Sequence, residues 1–516
     1  MAVPRYSPEL VDAGFAIEVA DAPVLHEYLD LADLAHVIVL DELGLVPPGA
    51  ADDLCAVLLE AHRTPVEHFG YDPAHGEAYN CRERVFEARL GDGAGWLHVA
   101  RTRREAVRIA LRLRLRTDLL DLVDAAATLL TALADQAQTH AETYLADQTY
   151  LQHAQPSTFG HYLLAFAPAV QRDVQRLWIE LGHLNRSPGG VGAVNGPRLP
   201  YDRERVAELL GFDGIVEHTR DAMWATDSLV AATAAATDLV VSLAKLAEDL
   251  EIWASDEFGW VRLAEGHSRT SVLMPQKRNP YALSMVRGEA GLLIGRLTGL
   301  LAVTKTPSAR SDGMIFAYGE VPRAIALATK AVRLMAGVVA GLEVDADAMR
   351  RALDRSFTQA TDVADVVMLR GDLDYRSAYR VVAAAVRHAA ATGAAAADLT
   401  PADLDAAALA TVGRPLGLTS EDLTAALDPA AIVATRTVPG GAAPDRVLSM
   451  ASAIRADAQS WARQSAERRS GFVAAELGLL HLAAARAAPA PASTPAPSPA
   501  PAPAPPYSPS PTPSKE

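Results

Sequence analysis

Between about Asp118 and Leu353, apolar residues recur at the three-to-four-residue spacing of helices. Only three clear interruptions break the run: Ser187-Pro188-Gly189-Gly190, the Gly266–Pro280 loop and Pro307–Gly313. Helices of this length bury their apolar stripes by packing side by side, so the expected fold is an all-α bundle whose binding sites lie between helices. Residues 1–117 mix short helices with loops holding Pro47-Pro48, Gly70 and Gly91–Gly95, and read as an N-terminal domain before the 118–353 bundle. Residues 354–488 read as a third, smaller helical domain. There, Thr400-Pro401-Ala402-Asp403 and Thr419-Ser420-Glu421-Asp422 each set a capping hydroxyl before first-turn acids. Residues 489–516 repeat Pro, Ala and Ser. Such a segment cannot bury a core and is expected to be an extended, disordered tail without a catalytic role.

Length and charge narrow the function classes. A chain of 516 residues has room for a large core, and its formal net charge of −16 argues against general affinity for nucleic acid or anionic membrane. Local arginines can still build a pocket for a small anionic substrate. Arg108, Arg112, Arg114 and Arg116 alternate with leucines and read as the charged side of a helix. Cys55 and Cys81 make no disulfide framework and suit a reduced cytoplasm, and the start from Met1 to Pro8 lacks a signal-peptide apolar region. The apolar stretch Leu229–Leu246 carries Asp238 and Lys245, which favours a buried helix over a membrane span. Histidines and carboxylates do not cluster at metal-ligand spacing, and Gly189-Gly190-Val191-Gly192 lacks the Lys-Ser/Thr that follows in a phosphate loop. Neither a metal nor another cofactor is expected.

The chemistry concentrates in Ser268-Arg269-Thr270-Ser271-Val272-Leu273-Met274-Pro275-Gln276-Lys277-Arg278-Asn279-Pro280. Removing a proton beside a carboxylate creates a dianionic, aci-type intermediate, which needs a base and preorganised donors or cations. Ser271 serves as base if its alkoxide is stabilised, and Lys277 and the loop's own N–H groups are placed to do that. Asn279 can donate to the substrate carboxylate. A loop with Gly266 at its start can close and exclude water.

The run Met-Pro-Gln-Lys-x-Asn-Pro resembles the signature loop of the fumarase/aspartase superfamily, and two further segments match in order. Leu97–Glu105 looks like the argininosuccinate lyase segment that ends Ser-Arg-Asn-Asp, with Thr102-Arg103-Arg104-Glu105 in its place. Thr149-Tyr150-Leu151-Gln152-His153-Ala154-Gln155-Pro156 looks like the family's Thr-His-Leu-Gln-x-Ala-Gln-Pro helix. The resemblance covers roughly Glu77 to Thr400. It implies three helical domains whose long central helices join those of three other subunits in a tetrameric 20-helix core, with each active site shared between subunits. Carried over by position, Ser271 resembles the catalytic base, and Lys277 and Asn279 the carboxylate-holding groups. Thr102 and Arg103 resemble carboxylate ligands, and Thr149 and Gln152 substrate-facing residues.

The departures bear on specificity. Tyr150 replaces the family histidine; a phenol can protonate a departing amine but is a poor base near neutrality. His153, three residues on, is expected to share that helix face, either as a relay or as a structural histidine. Arg104 replaces an asparagine, where it serves either substrate binding or a salt bridge. After the loop, Arg310, Ile315 and Tyr318 stand where argininosuccinate lyases carry tyrosine, glutamine and lysine. Isoleucine would leave an amino-acid head group unpaired, at about 1–3 kcal/mol, whereas Arg104 and Arg310 favour more negative substrates. The reading that results is a cofactor-free carbon–nitrogen lyase releasing fumarate from a substituted succinate, either an N-substituted aspartate such as an aminopolycarboxylate, or nitrosuccinate. The alternatives are argininosuccinate lyase, a carboxymuconate-type cycloisomerase and a non-catalytic, crystallin-like structural protein.

Overall fold

A computed structural model describes residues 6–487, so the Pro/Ala-rich segment from 489 lies outside the described residues. The main helices of its larger core are α1 (Ala22–Glu42), α2 (Ala50–Arg63), α3 (Arg103–Thr139), α4 (Ala167–Leu184), α5 (Asp227–Trp253), α6 (Tyr281–Thr304), α7 (Asp312–Ala340) and α8 (Pro444–Ala487). Strands are short and paired in twos, and the expected all-α class holds.

Side chains fix the directions of the bundle. α3 and α7 run parallel: Arg108 meets Tyr318 near their starts, and Gln136 donates to the carbonyls of Ala340 and Leu342 at their ends. α6 runs the other way, since Ser284 and Arg287 at its start reach Glu251 at the end of α5. The apolar α5, long enough to cross a bilayer, is packed inside the bundle through Leu229, Leu239, Leu243, Leu246 and Leu250, as a core helix.

The arginines of α3 depart from expectation. Arg108, Arg112 and Arg116 are buried, and Arg114 alone of the four is half-exposed, paired with Asp118 at 2.8 Å. Arg112 donates to the carbonyls of His183, Leu184 and Arg186, and Arg116 to those of Leu210 and Gly211. These carbonyls end helices, where the macrodipole is negative and acceptors lack intrahelical partners. The Arg116 guanidinium also lies 4.1 Å from the Phe472 ring centroid. Burial pushes both Arg112 and Arg116 down to about 10. A row of arginines that reads as a solvated face is thus a set of internal helix caps.

The expected domain boundaries are also redrawn. α3 crosses 117/118 without a break, and residues on both sides share one hydrophobic core. α8 belongs to that core through Val447, Ala451, Ile454, Phe472 and Leu479 rather than to the smaller C-terminal unit. The smaller unit has its own core, from Val363 to Ala426. Within it, Thr400 and Thr419 cap their helices as expected, each accepting from the third residue on, Asp403 and Asp422. Cys55 and Cys81 are buried and unpaired, and burial pushes the Cys55 thiol up to about 12.

Candidate active site

The Ser268–Pro280 loop leaves the bundle between α5 and α6. Two short strands close its neck, with Arg269 opposite Asn279 and Thr270 opposite Arg278. Ser271 lies just beyond. Its Oγ accepts the backbone N–H of Met274 at 3.0 Å and of Leu273 at 3.3 Å, while its own N–H donates to the Lys277 carbonyl at 3.3 Å. Two N–H groups converging on one hydroxyl oxygen are the donors an alkoxide requires. Asn279 Nδ2 donates to the Arg269 carbonyl at 3.0 Å, so one of its amide hydrogens ties the neck and the other is left for a ligand. The Lys277 side chain is exposed and unpaired among the described residues, and Val272 and Leu273 face solvent.

The second segment is not the expected helix. It is a hairpin of β1 (Tyr144–Thr149) and β2 (Gln152–Thr158), with Tyr150 and Leu151 alone in the turn. Both have positive φ, 55° and 58°, the conformation of a two-residue type I′ turn. Tyr150 is 99% exposed at the tip, and Thr149 pairs with Gln152 across the strands. His153 therefore does not share a helix face with Tyr150. It pairs with Gln148 across the hairpin and stacks on Trp260, ring centroids 6.3 Å apart, where burial lowers its pKa.

Thr102, Arg103 and Arg104 open α3. Glu105, completely buried, holds this start in place: it accepts the N–H of Thr102 at 3.1 Å, of Val191 at 2.8 Å and of Ala193 at 3.2 Å. The same carboxylate thus ties the glycine-rich Gly189–Val194 turn to the first segment. The Thr102 Oγ1 is buried without a partner among the described residues. Arg101 anchors the preceding turn through Asp33 at 2.6 Å and Tyr79 at 2.8 Å. Arg104 is clamped by Glu18 at 2.9 Å and Glu77 at 3.0 Å. Both partners of this salt bridge lie within the chain. Burial pushes the Glu77 carboxyl up to about 7 against the pull of Arg104, with Glu18 adding to the rise. Arg103 is more open, 3.7 Å from both Glu77 and Glu83. Ile315 and Tyr318 join Glu18, Asp21 and Glu77 around a small cavity beside this cluster. Arg310 is exposed and makes no hydrogen bond or ion pair among the described residues.

One protomer separates these groups. Thr102, Arg103, Arg104 and Arg310 lie where α3 and α7 begin, while the hairpin and the Ser271 loop lie where α3, α5 and α7 end. The 37 residues of α3 between those ends span roughly 55 Å. Sequence reading missed Glu105, Arg101, Glu18 and Glu77. Of these, Glu105 was detectable, as the acid of a Thr-x-x-Glu pattern, of which the carboxylate half of a capping box is formed.

Comparison with known proteins adds identity to this geometry. Residues 60–295 match the model of a family described as lyase, and residues 357–434 one described as argininosuccinate lyase C-terminal. The latter coincides with the separate small core. The chain is 38% identical over 434 residues to an argininosuccinate lyase of Natronomonas pharaonis, covering 83% of this chain and 85% of that one. It is 33% identical over 444 residues to one of Methanothrix thermoacetophila, covering 85% and 89%. Among solved structures, EDDS lyase in complex with formate superposes with a TM-score of 0.84 at 25% identity, over 94% of this chain and 96% of that one.

Proposed function

Since the chain belongs to the argininosuccinate lyase-like branch of the fumarase/aspartase superfamily and is a fumarate-releasing lyase, we propose that it removes a nitrogen group from a substituted succinate other than argininosuccinate. The observation that carries this reading is the set of side chains beside the first segment. Ile315 and Tyr318 stand there where recognition of an arginine head group calls for glutamine and lysine, and Arg104 is paired with Glu18 and Glu77. An N-substituted aspartate such as an aminopolycarboxylate, or nitrosuccinate, fits this better. Arg103 and Arg310 supply the cationic contacts, with Thr102, Thr149 and Gln152 as hydrogen-bonding ligands.

In the proposed cycle Ser271 acts as its alkoxide, its own proton having passed to solvent and its oxygen held by the N–H groups of Leu273 and Met274, and it is neutralised as it takes the proton from the carbon beside the carboxylate. Lys277 and Asn279 hold the aci-carboxylate. The C–N electron pair then leaves with nitrogen as the double bond of fumarate forms, and Tyr150 or water protonates the departing nitrogen where it needs a proton.

Because the segments stand at opposite ends of one protomer, the complete site on this reading forms between antiparallel copies in a homotetramer. α6 offers the contact face: Tyr281, Met285, Leu292, Ile294 and Leu301 are exposed, and Gly288, Gly291, Gly295 and Gly299 have open space where a side chain would stand. Helices with small residues at such spacing approach closely. We place the enzyme in the cytoplasm, with its two thiols reduced.

The test is fumarate release, followed by absorbance, over a panel of argininosuccinate, ethylenediaminedisuccinate, other N-substituted aspartates and nitrosuccinate. Turnover of at least one of the others is expected; turnover of argininosuccinate alone would establish the second reading, which the names of the chain's relatives favour. On the active substrate, Ser271→Ala is expected to lose about 10²–10⁴-fold in rate.

A further inference from the structure

The stem that carries the Ser271 loop is laid along one side of α7. Val261 pairs with Val344 just beyond that helix, Ala264 faces Gly341, and the His267 ring lies over Gly337. The contacts thus step back up the helix from 344 to 341 to 337, and His267 is the last of them. A methyl group at Gly337 would stand 2.9 Å from His267 Nε2 and 3.4 Å from Cε1, so the glycine is the notch that admits the ring. The ring accepts a cost there, since its Nδ1 is buried without a hydrogen-bond partner among the described residues. Past His267, Arg269 and Thr270 are exposed, and Ser271 is four residues from the ring. The far stem runs into the start of α6, and beyond His267 the near stem is tied to it by the Arg269 guanidinium over the Tyr281 ring at 5.3 Å.

We propose that His267, seated in the Gly337 notch, is a positioning residue that fixes the point from which the Ser271 loop departs. The proposal rests on Ser271 being the base. Moving the ring shifts the root of the loop and with it the serine Oγ, and a reacting group misplaced by about 1 Å can lose up to about 10²-fold in rate. Alanine is the better helix former, so Gly337→Ala leaves the bundle intact while displacing the ring.

The experiment uses the full chain and the substrate that gives fumarate most rapidly in the panel. Gly337→Ala is expected to keep or raise the melting temperature and to lower kcat about tenfold with a smaller change in KM. His267→Ala is expected to do the same to kcat, and His267→Gln to recover part of it. The double variant should be no slower than His267→Ala alone, because both substitutions break one contact. In parallel, trypsin should cut the exposed bonds after Lys277 and Arg278 about fivefold faster in His267→Ala than in the unaltered protein. A wild-type kcat in Gly337→Ala, additive losses in the double variant, or unchanged cleavage would each overturn the proposal. Full activity in Ser271→Ala would instead remove the base, and trypsin would still report whether His267 anchors the loop.

Discussion

On the proposed reading Ser271 works as an alkoxide held by its neighbours: the N–H groups of Leu273 and Met274 point at its Oγ in the resting loop, so little reorganisation would accompany its ionisation. That it stands six residues before a lysine and eight before an asparagine is legible in the chain, because all three share one local turn. Arg104 shows the opposite case. Its partners Glu18 and Glu77 lie 86 and 27 positions away, and no local pattern announces that the guanidinium is already neutralised. Glu77 carries a pH prediction. Its folded pKa of about 7 lies above the ordinary 4.5, so the folded protein binds more protons than the unfolded one between those values. Stability from this group is present below about pH 4.5 and is lost as pH rises through about 7. Thermal unfolding from pH 5 to 8 should therefore show a downward slope in the native protein that is reduced in Glu77→Gln. A constant difference between the two across that range would contradict the assignment.

At the scale of elements, the hairpin tip is the feature that local reading misplaced. The helix expected at Thr149–Pro156 rests on its likeness to the family's segment, and neither Tyr150 nor Leu151 is a residue that normally takes positive φ; Asn-Gly is the usual pair in such a turn. Tertiary contacts impose the hairpin: β1 and β2 are held against Trp253 and Trp260, through Gln148 and His153. Residues kept in the left-handed region cost about 1–2 kcal/mol each. Replacing the tip by Tyr150→Asn with Leu151→Gly should raise stability by about 1–2 kcal/mol in denaturant unfolding, yet lower fumarate release if the phenol serves the reaction. Higher stability with full activity would take Tyr150 out of the mechanism. The capping boxes at Thr400 and Thr419 were legible for the reason the hairpin was not, since every partner lies within three residues.

For the whole molecule, the decisive fact is that the first segment sits at one end of the bundle and the Ser271 loop at the other. If the site is completed by antiparallel copies, two defects in different segments can be separated onto different chains. Ser271→Ala and Arg103→Ala, each nearly inactive alone, should regain measurable fumarate release after being mixed, dissociated and reassembled, because some sites then receive both intact segments. No recovery, with assembly confirmed by light scattering, would mean that each site is built within one chain. Leu292→Arg on the exposed face of α6 should yield smaller species by the same measurement and lose activity with them. The domain limits belong to this scale too: α8 follows the small unit in the chain yet packs on α3 and α2, because a 44-residue helix has an apolar stripe that only the long bundle can cover.

Helical class, cap positions, the uncovered loop and the order of the three segments follow from residues close together in the chain, where periodicity, capping and turn chemistry act over a few positions. The burial of Arg108, Arg112 and Arg116, the clamp on Arg104, the hairpin at Tyr150 and the placing of the segments at opposite ends of a helix roughly 55 Å long do not. Each depends on which distant carbonyl, carboxylate or aromatic ring packing brings alongside, and a charge in water and a charge capping a buried helix end are written with the same letter.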